Sequence, residues 1–359
     1  MKTISLLFGL ALIMVSTSIA ADSDKNAGQI DALFHDYAQP NSAGASLMVI
    51  KDGKKLFVKS YGLANVEDKV SATPDSNYRL ASVSKQFTAM SIMILADRQK
   101  LSFDDPITKY FPEFPAYGKE ITIRHLLNHT SGLVDYEDII PQGTTIPVLD
   151  INVLRLLQQQ EKTYFPPGSQ FRYSNTGFAF LALIVERVSG QTFAAFLHDN
   201  IFKPLHMDNT LAYEQGVSCV ANRAYGYTKQ QDSFQRTDQS LTSSVLGDGG
   251  IYSSVNDLYK WDQSLYTTQL VSKKTLDEAY TPGKSTEHGD HIKYGFGWYL
   301  TDYHGRRNIW HSGDSIGFRT HITRFPDQKV TVIVLSNRSD AKLTELAHKV
   351  ADLYLPNSK

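Results

Sequence analysis

The sequence predicts an α+β protein: an antiparallel sheet built from both ends of the chain, with a mainly helical lobe inserted between them. Three observations carry this. Two apolar-rich strand patterns flank Asp52-Gly53, a tight-turn signal. Apolar residues recur at helical spacing through the middle of the chain. Strand patterns then return from Tyr294 onward, so helices and strands are segregated rather than alternating.

The elements follow in order. Lys2 and the apolar run from Ile4 to Val15 read as a secretory leader. Ser18-Ile19-Ala20 places small residues before a cleavage point at Ala21. The run is too short to span a bilayer comfortably, so no stable membrane insertion is expected after cleavage, and the location is periplasmic or secreted. The domain plan is a leader over 1–20 and a single domain over 21–359, with the helical lobe at roughly 82–245. Ile30 to Tyr37 reads as an amphipathic helix, and Ala45 to Ile50 with Lys55 to Tyr61 as the hairpin. Phe87, Met90, Met93 and Ile94 put one apolar face on a buried helix from Ser82 to Ala96. Helices are expected at Ile123 to Leu127, Val153 to Gln159 and Phe178 to Val188, the last stopped by Gly190. Asp257 to Tyr266 and Lys273 to Tyr280 read as short helices. Strands are expected at Gly295 to Leu300, Arg307 to His311, Phe318 to Phe325 and Val330 to Leu335. A helix from Ala341 to Tyr354 closes the chain, with Ser339 or Asp340 as its cap. The loops at Asp135 to Val148 and Tyr280 to His291 are expected to shape the pocket.

Bulk properties exclude more than they select. The 359 residues carry a formal net charge of -1, so no global field points to nucleic acid or an anionic membrane. A single cysteine, Cys219, rules out an intramolecular disulfide and a cysteine-ligated zinc site. His125 and His129 are spaced for one helix face, but no glutamate stands where a zinc hydrolase of the His-Glu type needs it. The glycines at 247, 249 and 250 lack the Gly-Lys-Ser/Thr of a phosphate loop and are expected to let backbone pass close to the cleft. No metal or other cofactor is expected.

Three motifs carry the chemistry. In Ser82-Val83-Ser84-Lys85 a hydroxyl and an amine lie one helical turn apart. A desolvated Lys85 can take the Ser82 proton, and the helix N-terminus favours developing negative charge. In Tyr173-Ser174-Asn175 a phenol can carry a proton and an amide can orient substrate or Lys85. In His311-Ser312-Gly313, His311 can donate a hydrogen bond to a substrate carboxylate, and carries charge if its pKa is raised, while Gly313 allows close approach at a strand edge. The backbone amides of Ser82 and Asp314 are candidate oxyanion donors. Each motif alone has an ordinary explanation: a capping Ser84, a core tyrosine, a capping asparagine, a hairpin glycine. Ser339-Asp340-Ala341-Lys342 repeats the first spacing at a helix start. Their order in one chain is what no other common pattern requires.

That ordered trio resembles the serine hydrolases related to class C β-lactamases, penicillin-binding DD-peptidases and family VIII-type esterases. Flanking segments resemble them as well: Leu126 to Leu133, Phe165-Pro166-Pro167-Gly168, and Gly247 to Ser254 with Asp257-Leu258. The resemblance spans roughly Ala45 to Leu335. It implies a β-lactamase/transpeptidase-like fold with the site in the cleft between sheet and lobe. It implies Ser82 as acylated nucleophile, Lys85 and Tyr173 as the proton-transfer pair, Asn175 as an orienting residue, and Ser312 with its neighbours as substrate contacts. His311 stands where class C β-lactamases have lysine, which points toward the DD-peptidase and esterase branches. The expected partner is a small-molecule or peptide substrate: a D-Ala peptide, ester, amide or β-lactam. A class C-like β-lactamase and a non-catalytic penicillin or peptidoglycan-peptide sensor are the alternatives.

Overall fold

The computed structural model describes residues 26–231 and 233–356, so the expected leader at 1–20 lies outside the described residues. Eight antiparallel strands form the main sheet, in the order Ser285–Thr286, Gly289–Tyr294, Tyr299–Tyr303, Arg306–Ser315, Phe318–Phe325, Val330–Ser336, Ala45–Lys51 and Lys54–Tyr61. The two ends of the chain meet inside it: Ala45–Lys51 pairs with Val330–Ser336 from Ala45↔Ser336 to Lys51↔Val330. The hairpin turn is the expected one, with Asp52 and Gly53 at φ 49° and 75°, a twist that matches the flanking strands.

Alternation along the central strands builds two cores. Val330, Val332 and Val334 with Leu47 and Val49 face the helical segment 26–33 and the helix Leu343–Asp352. Ile333 and Leu335 with Met48 and Ile50 face the lobe. A strand buried on both faces must be apolar at nearly every position, which is why Val330–Ser336 reads as a continuous run. Each such side chain contributes about 1.5–3 kcal/mol by leaving water.

In the lobe, helices Lys85–Asp97 and Asn175–Ser189 pack together and are buried along most of their length. Gly190 at φ 73° ends the second helix, as the sequence predicts. A three-stranded sheet of Tyr78–Arg79, Ile251–Ser253 and Leu211–Ala212 ties the lobe to the approach of the first motif. No single described helix is long and apolar enough to cross a membrane.

Two expectations change. The strand expected at Gly295 to Leu300 divides into Gly289–Tyr294 and Tyr299–Tyr303. Between them a Cβ on Gly295 would stand 2.0 Å from the Ala279 carbonyl, and one on Gly297, at φ 76°, 2.9 Å from that of Lys85. Those glycines make a turn folded against the first motif. The closing helix begins at Leu343 with no side-chain cap, because Asp340 is held by Arg338 at 2.8 Å.

Candidate active site

The chain reaches Ser82 through a forced bend. Strand Tyr78–Arg79 ends at Leu80, and Ala81 then takes φ 48°, a left-handed conformation that costs a residue with a Cβ about 1–2 kcal/mol. Neighbours fix the bend: Leu80 N donates to the Ile251 carbonyl at 2.8 Å, and Thr320 Oγ1 donates to the Leu80 carbonyl at 2.6 Å. A 3₁₀ turn over Ala81–Ser84 follows and runs into helix Lys85–Asp97. Ser84 does not cap that helix; its Oγ accepts from Ile251 N at 3.2 Å. Ser82, half-buried, lines a cleft of about 230 Å³ with Arg79, Tyr136, Glu137, Asn175, Asp248 and Asp314 among its walls.

Lys85 is fully buried and its amine is held from three directions. Nζ donates to Ser82 Oγ at 3.1 Å, to Asn175 Oδ1 at 2.8 Å and to the Asp248 main-chain carbonyl at 2.8 Å. Burial disfavours the ammonium and pulls its pKa below the usual lysine value, while the carboxylates of Asp248, Asp135 and Glu137 resist that pull. The net effect is an amine that can lose its proton far more readily than an exposed lysine.

The second motif supplies what the sequence suggests, by another route. Ser174, not Asn175, caps helix Asn175–Ser189, its Oγ accepting from Gly177 N at 3.3 Å. Asn175 is left free to turn its carbonyl to Lys85, while its own main-chain amide donates to Asp135 Oδ2 at 2.9 Å. Tyr173 is half-buried, and its hydroxyl is buried with no hydrogen-bond partner among the described residues. Burial raises the phenol pKa, and the nearby Ser82 opposes that rise without reversing it. The resting phenol is therefore protonated. Lys85 Nζ stands 5.0 Å from its ring centre.

The third motif is placed beside the first two, and one expectation about it is corrected. Strand Arg306–Ser315 runs through all of His311, Ser312, Gly313 and Asp314 instead of ending at His311. His311 is not a charged donor. Burial and the nearby Lys85 amine push its pKa down to about 3. Both ring nitrogens are engaged, Nδ1 with the Ser312 carbonyl at 2.6 Å and Nε2 with Tyr294 Oη at 2.8 Å. That assigns the proton to Nδ1 and makes Nε2 the acceptor. Gly313 is required by packing: a Cβ there would lie 2.2 Å from both the Leu80 carbonyl and Thr320 Oγ1. Asp314 pairs with Arg319 at 2.8 Å, its side chain largely exposed. The pairing with Tyr299–Tyr303 stops at Trp310, so from His311 to Ser315 only one edge of the strand is paired by a described strand.

His129 was weighed from sequence as a metal ligand, whereas Asp248 and Tyr136 were not singled out as site residues. His129, buried at φ 58°, accepts from Ser174 N at 3.1 Å through Nδ1 and packs 4.3 Å from the Tyr173 ring. It buttresses the tyrosine, while His125 sits in the capping box of helix Ile123–Leu127. No group of metal-ligating side chains occurs among the described residues. Asp248 and Tyr136 join the cleft wall. An acidic residue inside Gly247-Asp248-Gly249-Gly250 was the signal for Asp248, and Tyr136 stands in the loop from Asp135 to Val148 that was expected to shape the pocket.

A sheet of this topology, with serine, buried lysine and tyrosine converging beside its fourth strand, defines the class that contains penicillin-recognising proteins and serine hydrolases. The chain belongs to the Beta-lactamase family, whose model matches residues 30–355. It is 32% identical over 326 residues to penicillin-binding protein 4* of Bacillus subtilis, covering 87% of this chain and 72% of that one. Among solved structures, the octameric penicillin-binding protein homologue from Pyrococcus abyssi superposes with a TM-score of 0.80 at 28% identity, covering 92% of this chain and 76% of that one. D-amino acid amidase from Ochrobactrum anthropi SV3 shares the fold, with a TM-score of 0.79 at 23% identity over 92% of this chain and 98% of that one.

Proposed function

We propose that this chain is an exported serine hydrolase that works through an acyl-enzyme on Ser82, of the DD-peptidase or esterase type, acting on D-Ala peptides or small esters and amides. The observation that carries the reading is the 3.1 Å contact between Ser82 Oγ and the amine of a lysine with no solvent exposure. In this reading Lys85, once neutral, takes the Ser82 proton as Oγ attacks the acyl carbon. The oxyanion forms against the amides of Ser82 and Asp314. Tyr173 passes its phenolic proton to the leaving group and is reprotonated from Lys85, and Asn175 holds the amine in line. Water then repeats the sequence to release the acid. The unpaired edge from His311 to Ser315, with Ser312 in it, takes an extended substrate main chain.

His311, standing where class C β-lactamases have lysine, favours this reading over a class C-like β-lactamase. The intact Ser82–Lys85–Tyr173 centre favours an enzyme over a sensor. Export rests on the leader pattern over 1–20.

Intact-protein mass spectrometry tests the proposal, using an activated ester and a penicillin with Ser82→Ala alongside. The expected result is an acyl adduct on the wild type, absent from Ser82→Ala, with rapid ester turnover and a slow or absent penicillin adduct. Rapid penicillin hydrolysis moves the assignment to a β-lactamase. No adduct and no turnover with either donor overturns the hydrolase and favours the sensor.

A further inference from the structure

We propose that Asp248, pinned by Tyr136, is a positioning residue of the catalytic centre: its main-chain carbonyl holds the Lys85 amine, and its buried carboxylate is kept beside that amine to act on it. The inference deepens the proposed function and rests on it for its catalytic consequence. Three contacts carry it. Lys85 Nζ donates to the Asp248 carbonyl at 2.8 Å. The Tyr136 hydroxyl donates to Asp248 Oδ2 at 2.9 Å, and both residues line the cleft beside Ser82. The turn that presents Asp248 is itself fixed, because Asp150 accepts from Leu246 N at 2.9 Å and Gly247 N at 3.0 Å, and Thr88 Oγ1 donates to the Gly247 carbonyl at 2.7 Å. Gly247 permits the close approach, since a Cβ there would lie 2.3 Å from the Phe178 carbonyl.

A carboxylate this buried, 7% exposed, is an expensive way to hold a turn that Asp150 already holds. Its value lies in its field. Facing it are Lys85 from the nucleophile's helix, Tyr136 and Glu137 from the adjoining loop, Arg79 from the short strand, Tyr173 from the second motif and Asp150 from behind. Burial raises the Asp248 pKa, and Lys85, Tyr136 and Arg79 oppose that rise. An ionised Asp248 in turn favours the ammonium of Lys85, so the two groups titrate as a pair. Removing the carboxylate charge takes away the largest support for the ammonium, and the Lys85 pKa must fall.

Lys85 is followed by NMR in full-length protein carrying [¹³C-ε]lysine, its resonance assigned by loss in Lys85→Arg. In Asp248→Asn, which keeps the main-chain carbonyl and can still accept from Tyr136, the Lys85 midpoint is expected to drop by about one pH unit or more. In Tyr136→Phe the carboxylate loses the bond that favours its ionised form, so a smaller drop in the same direction is expected. The acid limb of Ser82 acylation moves with the midpoint. An unmoved midpoint in Asp248→Asn overturns the proposal, since a purely structural aspartate predicts that result. If the wild type fails to acylate at all, the hydrolase reading falls, and the NMR midpoint still decides the role of Asp248.

Discussion

Lys85 shows how far a single side chain can be changed by its surroundings. An exposed lysine holds its proton to a pKa of about 10.4. Here burial favours the neutral amine, and the nearby carboxylates keep it from going fully neutral. The sign is fixed: a base must be unprotonated, so acylation rises as pH rises through the Lys85 pKa. That limb is expected well below the ordinary lysine value. His311 contributes none, because its imidazole is already neutral above about pH 3. The pH dependence of the acylation rate in wild type and His311→Gln checks both statements. The substitution is expected to lower the rate by removing the hydrogen bond to Tyr294, while leaving the midpoint in place. A second limb near pH 6.5 in the wild type, lost in His311→Gln, would reverse the assignment of a neutral histidine.

Glycines at two elements separate a local backbone requirement from a tertiary one. Gly190 ends helix Asn175–Ser189 at φ 73°, and a methyl group there would meet nothing within 4 Å, so alanine brings only backbone strain. A loss of about 1 kcal/mol is expected, with acylation unchanged. Gly313 lies in a strand with no unusual φ, yet a Cβ would stand 2.2 Å from the Leu80 carbonyl, the hinge of the Ser82 bend. Gly313→Ala is expected to cost about 1–3 kcal/mol and to slow acylation by about a hundredfold, because it displaces the nucleophile. Urea unfolding and single-turnover acylation on both variants distinguish the two. The sequence shows Gly190 plainly, since a glycine after an apolar helix pattern is a local signal. It shows the three motifs because their residue types and spacing are local too. What it does not show depends on neighbours distant in sequence: Ala81 held at positive φ by the contacts of Ile251 and Thr320 with Leu80, His311 made neutral by burial and by the Lys85 amine, Asp248 placed under Lys85. The strand limits at 289–303 belong to the same group, because the glycines there turn against Ala279 and Lys85 rather than following the local pattern.

At the scale of the whole molecule, the two sources of the main sheet must stay in register with the lobe for the cleft to keep its shape. One buried ion pair fixes the sheet to the helix that follows the lobe. Arg324 Nε, on strand Phe318–Phe325, donates to Asp262 Oδ1 at 2.7 Å, and both side chains are at most 2% exposed. Asp262 belongs to helix Val255–Ser264 and also accepts from Thr331 Oγ1 at 2.9 Å on the neighbouring strand. Helix, strand and strand are thus joined at one carboxylate, and the strand that carries Arg324 also carries Thr320, whose contact fixes the Ser82 bend. Neutralising one partner leaves a guanidinium buried without compensation, against Tyr280 Oη at 3.3 Å and the rings of Tyr266 and Trp298. Asp262→Ala is therefore expected to lose about 3–5 kcal/mol. Replacing both partners by apolar residues, Asp262→Leu with Arg324→Met, removes the charge as well as its counter-charge and is expected to recover most of that loss. Equilibrium urea unfolding of the single and double variants gives the coupling directly. A single-variant loss under about 1 kcal/mol would mean that solvent reaches Arg324 and that the junction is held by its apolar contacts alone.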